Sequence, residues 1–382
     1  MKPRVVILTE IIAPYRIPIF NALAQRDDVE PHVIFLSETD PSLRQWRIYK
    51  DEIQFSYQVL PASRRRIGKY NLLLNWDLSR ALEASRPDVL LCGGYNYISS
   101  WNAAFWARRR HLPLLLWSES TSGDMRNRRS AVEFLKKRYV NRCDGFVVPG
   151  QSSLLYLAML GVPKEKIFTA PNAVDIDFFS RAARISRNGS DARHRLGLPD
   201  RYFIYAGRLV TAKGIFDLLE AYAKLDSAVR SEVALVFVGD GPAKAELVAR
   251  AAHITPGVVR FVGFKQREEL AAFYALSEAM ILPTRSDTWG LVVNEAMACD
   301  LPVITTRVAG CAADLVENGW NGFVVPPQDV CALSSAMYSL ATDPALRQRM
   351  SARSAQRIQA YSPQCWAAGL AQAVESSCAR LA

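Results

Sequence analysis

Short uninterrupted apolar runs recur along the chain, separated by stretches in which apolar residues return every three or four positions. In the first half, Arg4–Thr9, His32–Ser37, Asp88–Cys92, Pro113–Trp117 and Gly145–Val148 read as strands. Between them, Ile17–Gln25, Leu72–Ala84 and Ala131–Asn141 read as helices. Apolar runs without polar alternation belong to parallel strands covered on both faces. Their alternation with helices predicts a doubly wound α/β domain. The polar, Arg-rich stretch from Ser180 to Arg195, which contains Asn188-Gly189-Ser190, reads as a loop or linker. The alternation then restarts with Tyr202–Ala206, Val233–Val238, Val258–Val262, Ala279–Pro283 and Pro302–Thr305. Two α/β units in series follow, without a close sequence repeat. The tail from Pro363 to Ala382 reads as one amphipathic helix or two short ones.

A chain of 382 residues is comfortable for two cores. Half of it is hydrophobic and 22% charged, as in globular rather than disordered protein. No apolar run reaches membrane-spanning length; the longest, such as Leu112–Trp117, are strand-sized. Lys2 and Arg4 ahead of Val5–Leu8 imitate a signal peptide, but Glu10, Pro14 and Arg16 break the resemblance. The run is read as a first buried strand, and no export is expected. Seven scattered cysteines without a C-x-x-C pair point to reduced thiols in a cytoplasmic protein, with neither a zinc site nor a disulfide framework.

Charge is distributed unevenly. Residues 1–170 hold 25 Lys and Arg against 16 Asp and Glu, while residues 171–382 hold 22 against 21. The excess concentrates in Arg64–Arg66 with Lys69, Arg108–Arg110, Arg126–Arg129 and Lys136–Arg138. Such a surface attracts phosphates or anionic lipid headgroups, or is simply solvated. No nucleic-acid motif accompanies it, so nucleic acid is not expected as a partner.

Ligands of doubly wound sheets bind beyond the carboxyl ends of the strands. After Tyr202–Ala206 come Gly207-Arg208-Leu209 and Lys213-Gly214, then a helix from about Ile215. Two cations ahead of a helix N-terminus suit an anion. After Val233–Val238 comes Gly239-Asp240-Gly241-Pro242, where small residues permit close approach of a phosphate or ribose, or make a tight turn. After the strand ending at Pro283, Asp287 lies in a loop and Glu295 within an apolar helical run that starts near Gly290. A carboxylate there is costly unless something bonds it. A ribose diol would do so bidentately, and backbone groups are the plainer alternative.

These elements resemble the GT-B-fold retaining glycosyltransferases of family four, the glycosyl transferases group 1. The carrying segments are Gly207–Gly214, Val238–Pro242, Phe261–Gly263, Asp287–Glu295 and Pro302–Ile304, with Pro171–Asp175 matching the family's inter-domain segment. The resemblance is strong over residues 145–325. It implies two Rossmann-like doubly wound parallel-sheet domains facing a cleft: residues 1–168 on the acceptor side, residues 169–362 binding a nucleotide sugar, and residues 363–382 as a helix returning to the first domain. It implies that Arg208 and Lys213 hold the donor diphosphate and that Glu295 holds the ribose. Asp287, where most members carry Glu, would touch the donor sugar. Val262 and Gly263 would meet the base, Gly290 and Leu291 would offer N–H groups, and Gly207, Gly239 and Gly241 would let the donor approach. No cofactor and no essential metal are expected; Asp175-Ile176-Asp177, which imitates a metal motif, reads as structural.

The acceptor side is read from loops after strands of the first half. Tyr15 and Arg16 lie in a Pro-Tyr-Arg-x-Pro opening found in some bacterial members, and Tyr95 and Asn96 follow Gly93-Gly94. Many members place a histidine after the strand that ends here at Trp117. This chain has Glu119 instead, a candidate for binding the transferred sugar or assisting the acceptor proton. The expected activity is retaining transfer from a nucleotide-diphosphate sugar to a sugar or lipid-linked saccharide, in polysaccharide or glycolipid synthesis. The expected site is cytoplasmic, with an anionic inner membrane face as a further partner. A non-catalytic sugar-nucleotide-binding protein, or an epimerase or phosphorylase on the same fold, are the alternatives.

Overall fold

A computed structural model describes residues 2–40, 46–67, 70–124, 130–189 and 191–379, without the side chains of 64–67, 70–72, 124 and 130–132. Arg126–Arg129 and Lys69 lie outside the described residues, and Arg64–Arg66 are described in backbone only. The chain divides into two compact units, Met1–Val174 with Ser362–Ala382, and Asp175–Tyr361.

The first unit runs β1 (Arg4–Thr9), α1 (Ile17–Ala24), β2 (Glu30–Phe35), β3 (Ser56–Val59), β4 (Ser63–Ile67), β5 (Tyr70–Leu74), α2 (Leu78–Ser85), β6 (Val89–Cys92) and α3 (Ile98–Arg109). It continues with β7 (Leu114–Trp117), α4 (Ser130–Val140), β8 (Gly145–Val148), α5 (Gln151–Met159) and β9 (Ile167–Thr169). Seven strands form one sheet in the order β3-β2-β1-β6-β7-β8-β9, and β4 and β5 pair as a separate antiparallel hairpin. The alternating side chains of β1 show why the run carries no polar residue. Val5 and Ile7 enter a core with Phe20, Trp117 and Trp366, whereas Val6 and Leu8 enter the opposite core with Leu82, Ala103 and Tyr139. Both faces are covered, so both must be apolar.

The second unit runs α6 (Ile176–Asn188), α7 (Ala192–Arg195), β10 (Tyr202–Ala206), α8 (Ile215–Ala223), α9 (Ser227–Glu232), β11 (Ala234–Val238), α10 (Lys244–Ala251) and β12 (Val259–Phe261). Then come α11 (Arg267–Ala275), β13 (Ala279–Leu282), α12 (Leu291–Ala298), β14 (Val303–Thr306), α13 (Ala312–Leu315), β15 (Gly322–Val325), α14 (Val330–Thr342) and α15 (Pro344–Ile358). Its six strands lie in the order β12-β11-β10-β13-β14-β15, all pairs parallel. The last helix, α16 (Pro363–Ala379), packs on α1 and buries Trp366, Leu370 and Val374 in the first unit's core.

Three expectations change. The helix read from Leu72 begins at Leu78, because residues 70–74 are taken by the hairpin. The Ser180–Arg195 stretch is helical in two parts, as far as Asn188 in α6 and from Ala192 in α7: Ile176, Phe179 and Ala183 bury one stripe of α6, and Asp175 caps its start by accepting from the Phe178 N–H at 2.9 Å. That cap also gives the Asp-x-Asp segment a structural task. The boundary falls after Val174 rather than 168, since β9 pairs with β8 and Ala170 and Ala173 are buried in the first core.

Candidate functional site

In the second unit's sheet the strand order reverses between β10 and β13, the place where a doubly wound fold opens a crevice at its carboxyl edge. The loop after β10 carries Arg208 and Lys213, the loop after β13 carries Asp287, and the helix that follows, α12, carries Glu295. Backbone bonds stitch the neighbouring loops together. Gly207 N–H donates to Val238 O (3.0 Å), Leu209 N–H to Asp240 O (2.9 Å), and Gly239 N–H to Gly263 O (2.8 Å). On the other flank, Arg285 N–H donates to Ala212 O at 2.9 Å. Asp217 fixes the Arg285 guanidinium through two bonds of 2.9 and 2.6 Å.

Within this frame Lys213 Nζ donates to Asp287 Oδ2, so the loops after β10 and β13 meet through an ion pair. One ammonium proton is engaged by Asp287, and the other two remain available to an anion. Arg208 is exposed and has no side-chain partner among the described residues. A diphosphate placed here would find one free guanidinium and one partly satisfied ammonium.

Glu295 sits on α12, whose neighbours Val293, Asn294, Ala296, Met297 and Ala298 are buried. The residue keeps some exposure, but its carboxyl is enclosed, and burial pushes its pKa up to about 7. The Tyr274 hydroxyl, donating to Oε2 at 2.9 Å, opposes that rise. Tyr274 itself is pushed well above the ordinary tyrosine value by burial and by Glu295. The second carboxyl oxygen has no recorded bond among the described residues and is free to accept from a ligand.

Gly290 caps α12, and the N–H groups of Gly290 and Leu291 donate to no backbone acceptor among the described residues. Such N–H groups at a helix start can donate to an anion. The expectation for Val262 and Gly263 narrows. Val262 N–H donates to Phe237 O at 3.1 Å and Gly263 O accepts from Gly239. The Val262 carbonyl and Gly263 N–H are what remain for a base. Gly241 lies where any side chain would strike Leu209 O, 2.4 Å away.

In the first unit the order reverses between β1 and β6. Arg16, after β1, donates to Thr9 Oγ1 at 2.5 Å, lies 3.7 Å from Glu119 Oε1, and stacks 4.5 Å from the Trp117 ring centroid. Burial works against its charge, but Tyr15, Glu119 and Glu10 outweigh it and hold the guanidinium above its ordinary pKa. Tyr15 meets Trp46 edge to face at 5.7 Å. Tyr95 OH lies 3.1 Å from Ser120 Oγ, and Asn96 is exposed. The structure thus joins Arg16 to Glu119, and Tyr95 to the same loop as Glu119. Thr9, Trp117, Tyr274 and the Arg285–Asp217 pair were not foreseen. Trp117 and Tyr274 look like core in the sequence, and nothing in their spacing announces a polar partner.

Among the described residues no group of His, Cys, Asp and Glu is placed to hold a metal, and all seven cysteines are free. No helix there is long and apolar enough to cross a membrane.

The family model of the glycosyl transferases group 1 matches residues 187–357, and that of Glycosyltransferase Family 4 matches residues 19–178. Alpha-D-kanosaminyltransferase of Streptomyces kanamyceticus is 34% identical over 168 residues, 44% of this chain and 43% of that protein. D-rhamnosyltransferase WbpZ of Pseudomonas aeruginosa is 29% identical over 205 residues, 53% of this chain and 51% of that protein. The chain thus spans about half the length of the curated relatives it matches. Among solved structures, Anabaena Alr3699/HepE in complex with UDP has a TM-score of 0.77 at 18% identity, covering 98% of this chain and 100% of that one. Sucrose-phosphate synthase from Thermosynechococcus elongatus has a TM-score of 0.74 at 20% identity, covering 99% and 100%. At such identities the likeness is one of fold. With one family model on each unit and a shared fold over nearly the whole length, the chain belongs to the GT-B-fold glycosyl transferases of group 1.

Proposed function

We propose that the chain transfers a sugar from a nucleotide-diphosphate sugar to a sugar or lipid-linked saccharide acceptor, with retention, in building a cell-surface polysaccharide or glycolipid. The observation that carries this is the convergence of Arg208, Lys213, Asp287 and Glu295 at the switch point of one parallel sheet. The names of the Streptomyces and Pseudomonas relatives denote sugar transfer, and the Anabaena protein has been solved with UDP-glucose, which favours a nucleotide-sugar donor here.

In this reading Glu295 accepts from the ribose hydroxyls through its carboxyl. Arg208, the two remaining protons of Lys213 and the N–H groups of Gly290 and Leu291 bind the diphosphate. When the bond from the sugar carbon to the diphosphate breaks, its electron pair passes to the leaving oxygen. The same fixed donors stabilise that charge without reorganising. They take the part a metal would otherwise play, so the reaction is metal-independent. Asp287, held by Lys213, receives hydroxyls of the sugar. Retention follows from attack on the face the nucleotide leaves, a feature carried by the family resemblance. Tyr15, Arg16, Tyr95 and Asn96 serve the acceptor, and Glu119 binds the sugar or assists the acceptor proton. The site of action is cytoplasmic, with attachment to an anionic inner membrane face.

Calorimetric titration of UDP, GDP and ADP into wild type and Glu295→Ala tests the donor site. One base is expected to bind, and to weaken by at least about tenfold in the variant, the scale of a hydrogen bond to a charged group. Binding of none of the three would remove the Arg208–Lys213–Glu295 assignment.

A further inference from the structure

Helix α4 carries an outward arc that a merely solvated surface does not need. At helical spacing, Lys137, Phe134, Arg138 and Leu135 follow one another across an arc of about 160°. Cations and large apolar side chains therefore alternate on it. Phe134 is 63% exposed and Leu135 51%. The opposite face is anchored by Tyr139 and Val140, both buried in the first unit's core. The arc is thus presented rather than waiting to fold inward.

The C-terminal end of α4 is tied to α3. Arg142, just beyond α4, donates to Arg138 O at 2.7 Å and lies over the Trp101 ring. Trp101 in turn packs edge to face on Tyr139, with centroids 5.0 Å apart. Single exposed apolar residues are ordinary, but neighbouring ones bordered by uncompensated cations are not. Lys137 and Arg138 have no carboxylate partner among the described residues.

We infer that this face of α4 docks the chain onto a membrane surface rich in anionic lipid. Phe134 and Leu135 enter the headgroup boundary while Lys137 and Arg138 meet the phosphates. An interfacial helix needs this combination of apolar area and positive charge. A second copy of the chain would bring the same positive surface against it and be repelled. The inference rests on the reading that the first unit works beside a membrane. It is independent of the donor site, so nucleotide titration separates failure of one from failure of the other.

The test is co-sedimentation of the full chain with vesicles of phosphatidylcholine alone or mixed with phosphatidylglycerol, at low and high salt. Retention is expected only on the anionic vesicles, and is released by salt. Lys137→Gln/Arg138→Gln should weaken partition about 30-fold, at the usual strength of two cations near such a surface. Phe134→Ser/Leu135→Ser should weaken it at least about tenfold. Both variants should keep the wild-type thermal midpoint and nucleotide affinity. No retention at low salt, equal retention on both lipids, or undiminished retention of the variants would overturn the inference. So would a lipid-free change in hydrodynamic size in the Phe134/Leu135 variant, which would assign the face to a second copy.

Discussion

Glu295, which the proposed reaction assigns to the donor ribose, is a carboxyl whose charge is balanced near neutrality. Its pKa of about 7 arises from burial, against the 4.5 of an ordinary glutamate. Only the ionised form accepts from both hydroxyls of a ribose. Nucleoside diphosphate affinity should therefore rise as the pH rises through 7, by about tenfold between pH 6 and 8 if only that form binds. The ratio of wild type to Glu295→Gln, measured by calorimetry across this range, isolates the effect from titration of the phosphate; a pH-independent ratio would sink it. The same shift acts on stability. The folded chain holds this proton more tightly than the unfolded one, so the contribution is intact below about 4.5 and is lost as the pH climbs through 7. The sequence made Glu295, Arg208, Lys213 and Asp287 legible because each stands in or after a loop whose strand can be recognised. It did not show Tyr274 beside Glu295, since that bond depends on how α11 packs on α12. Arg16 and Glu119 were legible singly, and only the adjacency of β1, β6 and β7 makes them a pair.

At the scale of elements, legibility follows burial. Central strands such as β1, β10 and β11 are covered on both faces and appear as apolar runs. The strands that escaped notice in the two large sheets, β3, β9 and β15, all lie at sheet edges. β3 is almost wholly exposed, and β9 is three residues of partial exposure. An edge strand needs no apolar run, as β3 shows, although the edge strand β15 carries one in Gly322–Val325. The loops at the carboxyl edge obey another constraint, set by space. Gly239 has φ +135, and a Cβ there would stand 1.9 Å from Gly207 O. Gly263 is also left-handed, at φ +74, but a Cβ there meets nothing within 4 Å. Gly263→Ala should cost about 1 kcal/mol of stability, from backbone conformation alone. Gly239→Ala must also separate the loops after β10 and β11 and should cost at least about 3 kcal/mol, with nucleotide affinity lost alongside. Denaturant unfolding and calorimetry of the two variants measure this; equal costs would show that the loops are not held at contact distance.

The whole chain is two cores threaded unequally: it leaves the first unit at Val174 and re-enters it at Ser362. The first unit is therefore completed by the last segment of the chain, through Trp366 buried between Phe20 and Trp117 with centroids at 5.7 and 5.2 Å. The residues proposed to bind the donor all lie in the other unit. Stability and ligand binding should accordingly be separable. Trp366→Ala removes the largest fully buried side chain and should destabilise the first unit by about 3–5 kcal/mol. A nucleoside diphosphate at a hundred times its dissociation constant should stabilise the second unit by about 2.7 kcal/mol. Calorimetric melting of both proteins, with and without nucleotide, is expected to show two transitions, one lowered by the substitution and the other raised by the ligand. A single transition that responds to both would mean that the two cores unfold as one and that the division seen in the fold is not a division in energy.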